Sequence, residues 1–138
     1  MKRYLLDTNV ISEVRKPKPH GAVLGWLGQL RSEQILLSAV TMGELQFGIE
    51  LTRKQDPMKA KEIEAWVDQL ENSYHILSMD SASFRECSRL MQRKPGHLVE
   101  DGMIAAIARV HDLTVATRDE SDFRQFGIPL FNPFGAKA

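Results

Sequence analysis

Five short apolar runs alternate with longer stretches of helical periodicity along this chain, and that alternation restricts the fold more than any other feature. The runs are Tyr4–Leu6, Ile35–Ser38, His75–Leu77, residues 113–117 and residues 128–131. Short apolar runs bounded by breakers read as buried strands, and strands alternating with helices build α/β domains around a parallel sheet. The expected architecture is one α/β domain whose central, mostly parallel sheet is flanked by helices. Pro129 suits an edge position for the last run, because proline cannot donate to a ladder.

Between the runs, residues 8–15 form a short helix with Val10, Ile11 and Val14 on its apolar side, ended by Lys16-Pro17-Lys18-Pro19. Residues 22–30 carry Val23, Trp26, Leu27 and Leu30 at helical spacing, and a third helix covers 40–53. Asp56 before Pro57 is an N-cap followed by a first-turn proline, opening a helix to about residue 71 that pairs with its predecessor as an outer hairpin. Asp80 caps the next helix, and Lys94-Pro95-Gly96 breaks it. A helix over 98–111 then turns Ile104, Ala105, Ile107 and Ala108 inward. The domain spans residues 1–134, with 135–138 expected as a flexible tail.

Composition removes several classes of function. Eighteen basic side chains balance eighteen acidic ones, which argues against a bulk electrostatic grip on nucleic acid and leaves room only for a local basic rim. Cys87 is the sole cysteine, so no internal disulfide forms. No apolar run reaches membrane-spanning length, and the one behind Lys2 and Arg3 is far too short for a signal peptide. The expected location is the cytoplasm, away from the membrane.

The acids carry the functional argument. Asp7 sits at the carboxyl end of the first strand, where open α/β sheets place ligand crevices. Glu44 lies early in a helix within a locally apolar stretch, beside Gly43 and near Gly48, either of which permits close backbone approach. Asp101 shares the inward face of Ala105 and Ala108, and those small side chains bring it toward the strand ends. Asp119 follows the fourth strand as Asp7 follows the first, and Asp122 stands about a helical turn beyond. Each acid alone reads equally well as a cap, a first-turn charge or an exposed residue. Together they place carboxylates from four segments at one crevice, where they stay ionised only if a cation or hydrogen bonds neutralise them. Oxygen-only ligands select hard cations, Mg²⁺ or Mn²⁺. His20, His75, His97 and His111 show no zinc-ligand spacing.

Four motifs occur in order: Leu6-Asp7-Thr8-Asn9 with Ser12, Met42-Gly43-Glu44-Leu45, Glu100-Asp101-Gly102-Met103-Ile104-Ala105-Ala106, and Thr117-Arg118-Asp119-Glu120-Ser121-Asp122-Phe123. Gly127-Ile128-Pro129-Leu130 and Asn132-Pro133 close the series. Over nearly its whole length the chain resembles the PIN-domain ribonucleases, specifically VapC-type toxins of the FitB-like group. The resemblance implies a Mg²⁺- or Mn²⁺-dependent endoribonuclease acting on RNA, transfer RNA foremost, and silenced by a small cognate antitoxin in a homodimeric or higher assembly. It also implies Asp7, Glu44, Asp101 and Asp119 as the catalytic acids and Asp7, Asp101, Asp119 and Asp122 as the metal ligands. Asn9 and Ser12 would orient Asp7, and Thr117 would support the strand end.

The basic side chains Arg15, Lys16, Arg93 and Arg118 are candidates for gripping the RNA backbone. Trp26 and Trp66 serve either partner contacts or core packing. Two other readings compete. An aspartyl-phosphate enzyme of the haloacid-dehalogenase type also opens on a strand ending in Asp, but it wants a second Asp where Asn9 stands. A non-catalytic PIN-like module would bind a partner only, and the presence of every acid counts against it.

Overall fold

β1 (Tyr4–Leu6) runs through the middle of the sheet, and its apolar residues are buried on both sides. The structure, a computed structural model, describes residues 1–135; residues 136–138 of the expected tail lie outside the described residues. β2 (Ile35–Ser38), β3 (His75–Leu77), β4 (Thr114–Ala116) and β5 (Leu130–Phe131) complete a sheet of order β3-β2-β1-β4-β5. Every pairing is parallel, with Leu5 opposite both Leu36 and Val115. All carboxyl ends therefore share one edge. The chain steps outward from β1 to β3 and then returns to β4, so the topological switch lies between β1 and β4, where α/β sheets open a crevice.

Successive strand residues point to opposite faces, and each face carries its own apolar layer. Leu5, Leu36 and Val115 pack with Ile104, Ile107 and Phe123. These come from α6 (Val99–Val110) and α7 (Glu120–Arg124), joined on that side by α5 (Ser81–Leu90). Leu6, Leu37 and Ala116 face the other way, toward Val10, Val23 and Leu70. Those residues lie on α1 (Thr8–Glu13), α2 (Gly21–Gly28) and α4 (Pro57–Ser73). α3 (Ala39–Arg53) and α4 form a hairpin sealed by Ile49, Ala60 and Val67. Asp56 caps α4 by accepting the Lys59 amide, and Asp80 caps α5 by accepting that of Ser83. Among the described residues no helix is long and apolar enough to cross a membrane.

Several elements differ from their expected form for identifiable reasons. α1 stops at Glu13 instead of residue 15. The Glu13 side chain is buried and reverses the chain, accepting the His20 amide at 2.9 Å and pairing with Lys16 at 2.9 Å. α6 starts at Val99 after a 3₁₀ turn at Gly96–Leu98. β5 is only two residues long, and Pro129 stands just outside it, accepting the Val115 amide through its carbonyl. Trp26 is half-buried, packing edge-on against Tyr4 at 4.9 Å and tilted against Phe131 at 5.1 Å. Trp66 is half-buried beneath Arg15.

Candidate metal centre

Pairing of β1 with β4 sets the geometry at the carboxyl edge. The Asp7 amide continues the ladder by donating to the Ala116 carbonyl at 2.9 Å, which puts Asp7 beside Thr117. Asp7 is only 5% exposed. Its Oδ1 accepts the Thr8 amide at 2.8 Å, and its Oδ2 accepts the Thr117 hydroxyl at 2.8 Å and the Asn9 amide nitrogen at 3.3 Å. Burial raises the carboxyl above its ordinary range, the Thr117 and Thr8 bonds oppose that rise, and the Asp119 charge adds to it.

Thr117 and Asn9 each tie two parts of this edge together. The Thr117 hydroxyl also accepts the Asp119 amide at 2.9 Å, and the Asn9 carbonyl oxygen accepts the Arg118 amide at 3.2 Å. The loop after β4 is thereby fastened to the first turn of α1. Ser12 is not among the hydrogen-bond partners of Asp7; it lines a groove shared with Thr8 and Glu44.

Asp101, Asp119 and Asp122 converge from α6, the β4–α7 junction and α7, with one carboxylate oxygen from each within 4.8 Å of the others. Burial, then the charges of Asp7, Asp119, Asp122 and Glu100, push the Asp101 carboxyl up to about 6. Asp119 is raised by burial and then by Asp122. Among the described residues no lysine or arginine forms an ion pair with Asp7, Glu44, Asp101, Asp119 or Asp122. An octahedral hard cation holds oxygens at roughly 2.1 Å, so opposite ligands stand about 4 Å apart. Spacing, oxygen chemistry and lack of protein cations all fit such an ion.

Glu44 reaches the same edge from the second turn of α3. Its Oε1 accepts the Thr8 hydroxyl at 2.7 Å. Burial raises its carboxyl to about 7, the Thr8 bond opposes the rise, and Glu100 and Asp7 reinforce it. Glu100, the first-turn neighbour of Asp101, stands beside Glu44 in a cavity with Val40, Gly43 and Phe47. Consecutive helical residues point about 100° apart, so Glu100 faces Glu44 while Asp101 faces the other aspartates.

A groove of about 580 Å³ opens next to Glu44 between α1, α3 and α4. Leu45, Ile49, Ile63 and Trp66 form its apolar lining, while Arg15, Lys16 and Lys59 contribute charge. Among the described residues nothing outside the α3 backbone comes within 4 Å of where a Cβ at Gly48 would project, so the groove is open there. Arg118 is exposed with its guanidinium 4.0 Å over the Phe134 ring. Arg93 is exposed in a left-handed turn, φ 63°, after α5, and among the described residues it forms no ion pair with these acids.

Comparison with known proteins agrees with this architecture. A family model described as PIN domain matches residues 4–129. Toxin FitB from Neisseria gonorrhoeae is 36% identical over 140 residues, spanning 94% of this chain and 97% of the relative. The VapC ribonuclease Y4jK of Sinorhizobium fredii is 35% identical over 141 residues, spanning 94% and 96%. The crystal structure of FitAcB from Neisseria gonorrhoeae superposes with a TM-score of 0.87 at 34% identity, covering 96% of this chain and 99% of that one. With a family model spanning almost its full length and relatives matched end to end, this chain belongs to the PIN-domain family.

Proposed function

We propose that this chain is the toxin of a toxin–antitoxin pair, a Mg²⁺- or Mn²⁺-dependent endoribonuclease acting in the cytoplasm on structured RNA, with transfer RNA as its first candidate substrate. The observation that carries the reading is the convergence of Asp101, Asp119 and Asp122 within 4.8 Å, beside buried Asp7 and, among the described residues, without an ion-paired lysine or arginine. Relatives named as a VapC ribonuclease and as a toxin support the activity class.

Asp7, Asp101, Asp119 and Asp122 would hold the cation. When bound, it supplies charge neutralisation at a phosphodiester and a water acidic enough to ionise near neutral pH. Glu44 is the base: Oε1 is held by Thr8, and Oε2 takes the proton of the attacking water. A base is most effective when its pKa lies near the working pH, and about 7 meets that condition. Thr117 and Asn9 hold Asp7 in its ionised form by donating to Oδ2. Arg15 and Arg118 flank the site and grip RNA backbone phosphates, with Lys16 partly neutralised by Glu13. Attack by water expels the ribose 3′ oxygen, leaving 5′-phosphate and 3′-hydroxyl ends.

The groove between α1, α3 and α4 is the seat for a segment of the antitoxin, because its apolar lining leads directly to Glu44. Solved relatives include a structure described as FitAB bound to an IR36 DNA fragment, 33% identical with a TM-score of 0.81. The haloacid-dehalogenase reading loses its ground, since Asn9 is engaged in bridging Asp7 to the Arg118 amide. Incubating purified protein with transfer RNA and a panel of other RNAs tests the proposal. Discrete fragments that require Mg²⁺ and vanish with EDTA or in Asp101→Asn are expected. Equal cleavage by Asp101→Asn would place the chemistry elsewhere, and inertness toward every RNA would favour the partner-binding module.

A further inference from the structure

Three hydroxyls lead from the buried start of α3 to Glu44. Ser38, the N-cap of α3, and Thr41 are completely buried, in a region otherwise filled with apolar side chains. The Ser38 hydroxyl oxygen accepts the Thr41 amide at 3.1 Å and lies 3.4 Å from Thr41 Oγ1. Thr41 Oγ1 lies 3.0 Å from Thr8 Oγ1, which in turn is 2.7 Å from Glu44 Oε1.

A hydroxyl has a single proton, and an ionised carboxylate only accepts. Thr8 therefore gives its proton to Glu44 and receives one from Thr41, and Thr41 receives one from Ser38. Charge on Glu44 aligns the whole series in one direction. Ser38 is accounted for as the N-cap, but a buried hydroxyl at Thr41 is unfavourable without a purpose, and an apolar residue of the same shape would fill its space equally well. What an apolar residue there could not do is fix the rotamer of Thr8.

We propose that Thr8 and Thr41 are positioning residues for Glu44, with Thr41 acting through Thr8 to hold the carboxylate toward the metal-binding aspartates. The inference rests on the reading of Glu44 as the catalytic base. It also joins α1, which begins beside Asp7, to α3, so that the two halves of the site move as one unit.

The test compares Thr8→Val, Thr8→Ser, Thr41→Val, Thr41→Ser and the double valine variant on a cleavable RNA at saturating Mg²⁺. Removing a hydrogen bond to a charged group from the transition state should lower kcat about 10- to 100-fold in Thr8→Val, with KM changed by less than about twofold. Thr41→Val should lose roughly 3- to 10-fold in kcat, and the double variant should be no worse than Thr8→Val, because residues in one network are not additive. The serine variants keep the hydroxyl and should restore the rate.

Additive losses in the double variant, serine variants as impaired as valine ones, or an unaffected Thr41→Val would each overturn the inference. Crystal structures of the variants decide it independently of activity. A Thr8–Glu44 contact that is lengthened or only partly populated is expected in Thr41→Val, and a contact unchanged from wild type would overturn the positioning role even if wild-type protein cleaved no RNA. Wild-type inertness would instead count against the nuclease itself. Should Thr41→Val fail to fold, the Thr8 pair carries the kinetic comparison, since Thr8 is only partly buried.

Discussion

Replacing Thr117 with valine removes a hydroxyl and almost no volume, which makes it a clean probe of how Asp7 is kept ionised. Thr117 is completely buried, donates to Asp7 Oδ2 at 2.8 Å and accepts the Asp119 amide at 2.9 Å. A hydrogen bond to a charged group contributes about 1.5–3 kcal/mol, and an orphaned amide about 1–3 kcal/mol more. Asp119 is partly exposed, so water recovers some of the second contribution. The expected loss of stability is about 2–4 kcal/mol, read by urea unfolding of metal-free protein.

Metal binding should suffer as well. Without Thr117 the Asp7 carboxyl, already raised by burial, rises further. Because Mg²⁺ needs the ionised form, protons then compete harder, and the deficit is largest at low pH and shrinks as pH rises. A change of 1.5–3 kcal/mol corresponds to about 10- to 150-fold in Kd, within reach of calorimetry with Mn²⁺ at about pH 6.5 and 8.5. Thr117→Ser should behave like wild type. Wild-type affinity in Thr117→Val, or a deficit identical at both pH values, would refute the assignment.

Other perturbations probe the remaining parts of the site. In metal-free protein Asp101 near 6 and Glu44 near 7 bind protons more tightly folded than unfolded, so stability should fall as pH rises from the ordinary carboxylate range through those values. Thermal melts should give a higher Tm at about pH 5.5 than at about pH 8, and Asp101→Asn should flatten that dependence and raise the Tm at the upper pH. A Cβ at Gly102 would lie 2.7 Å from Met91 Sδ and 3.1 Å from its Cγ. Gly102→Val should therefore displace the Met91 side chain from α6 at a cost of about 1–3 kcal/mol in urea unfolding and weaken Mn²⁺ binding at the adjoining Asp101. Arg118→Ala should weaken binding of single-stranded RNA to catalytically dead protein and reduce the slope of log affinity against log salt by about 0.7.

Alternation of apolar runs with helical periodicity was enough to read the sheet, because strands buried on both faces leave a signal that survives without knowledge of their neighbours. The same holds for Asp7 and for the inward face of Asp101, which follow from a strand end and from helical phase. The direct neighbours of these acids were harder to read. Thr8 meets Glu44 across a separation of 36 residues, through the docking of α1 on α3, which no local pattern encodes. Glu100 and Asp101 are adjacent in sequence, and only the placement of α3 shows that the first faces Glu44. Glu13 leaves no signal of its own, because a buried acid on a short helix is indistinguishable in sequence from a solvated one; its partner, the His20 amide, lies beyond two prolines. Ser12 shares the motif of Asp7 but points into the groove, since α1 turns it away from the strand end.

Cleavage of RNA in ¹⁸O-labelled water with Mg²⁺, followed by mass spectrometry of the fragments, tests the hydrolytic site most directly. Attack by a Glu44-assisted water would put one ¹⁸O atom into a 5′-phosphate and leave an unlabelled 3′-hydroxyl on the other fragment, with Asp7, Asp101, Asp119 and Asp122 the residues that would hold the cation. Fragments ending in a 2′,3′-cyclic phosphate without label would mean that the ribose hydroxyl attacks, and the assigned chemistry of Asp7, Glu44, Asp101, Asp119 and Asp122 would be wrong.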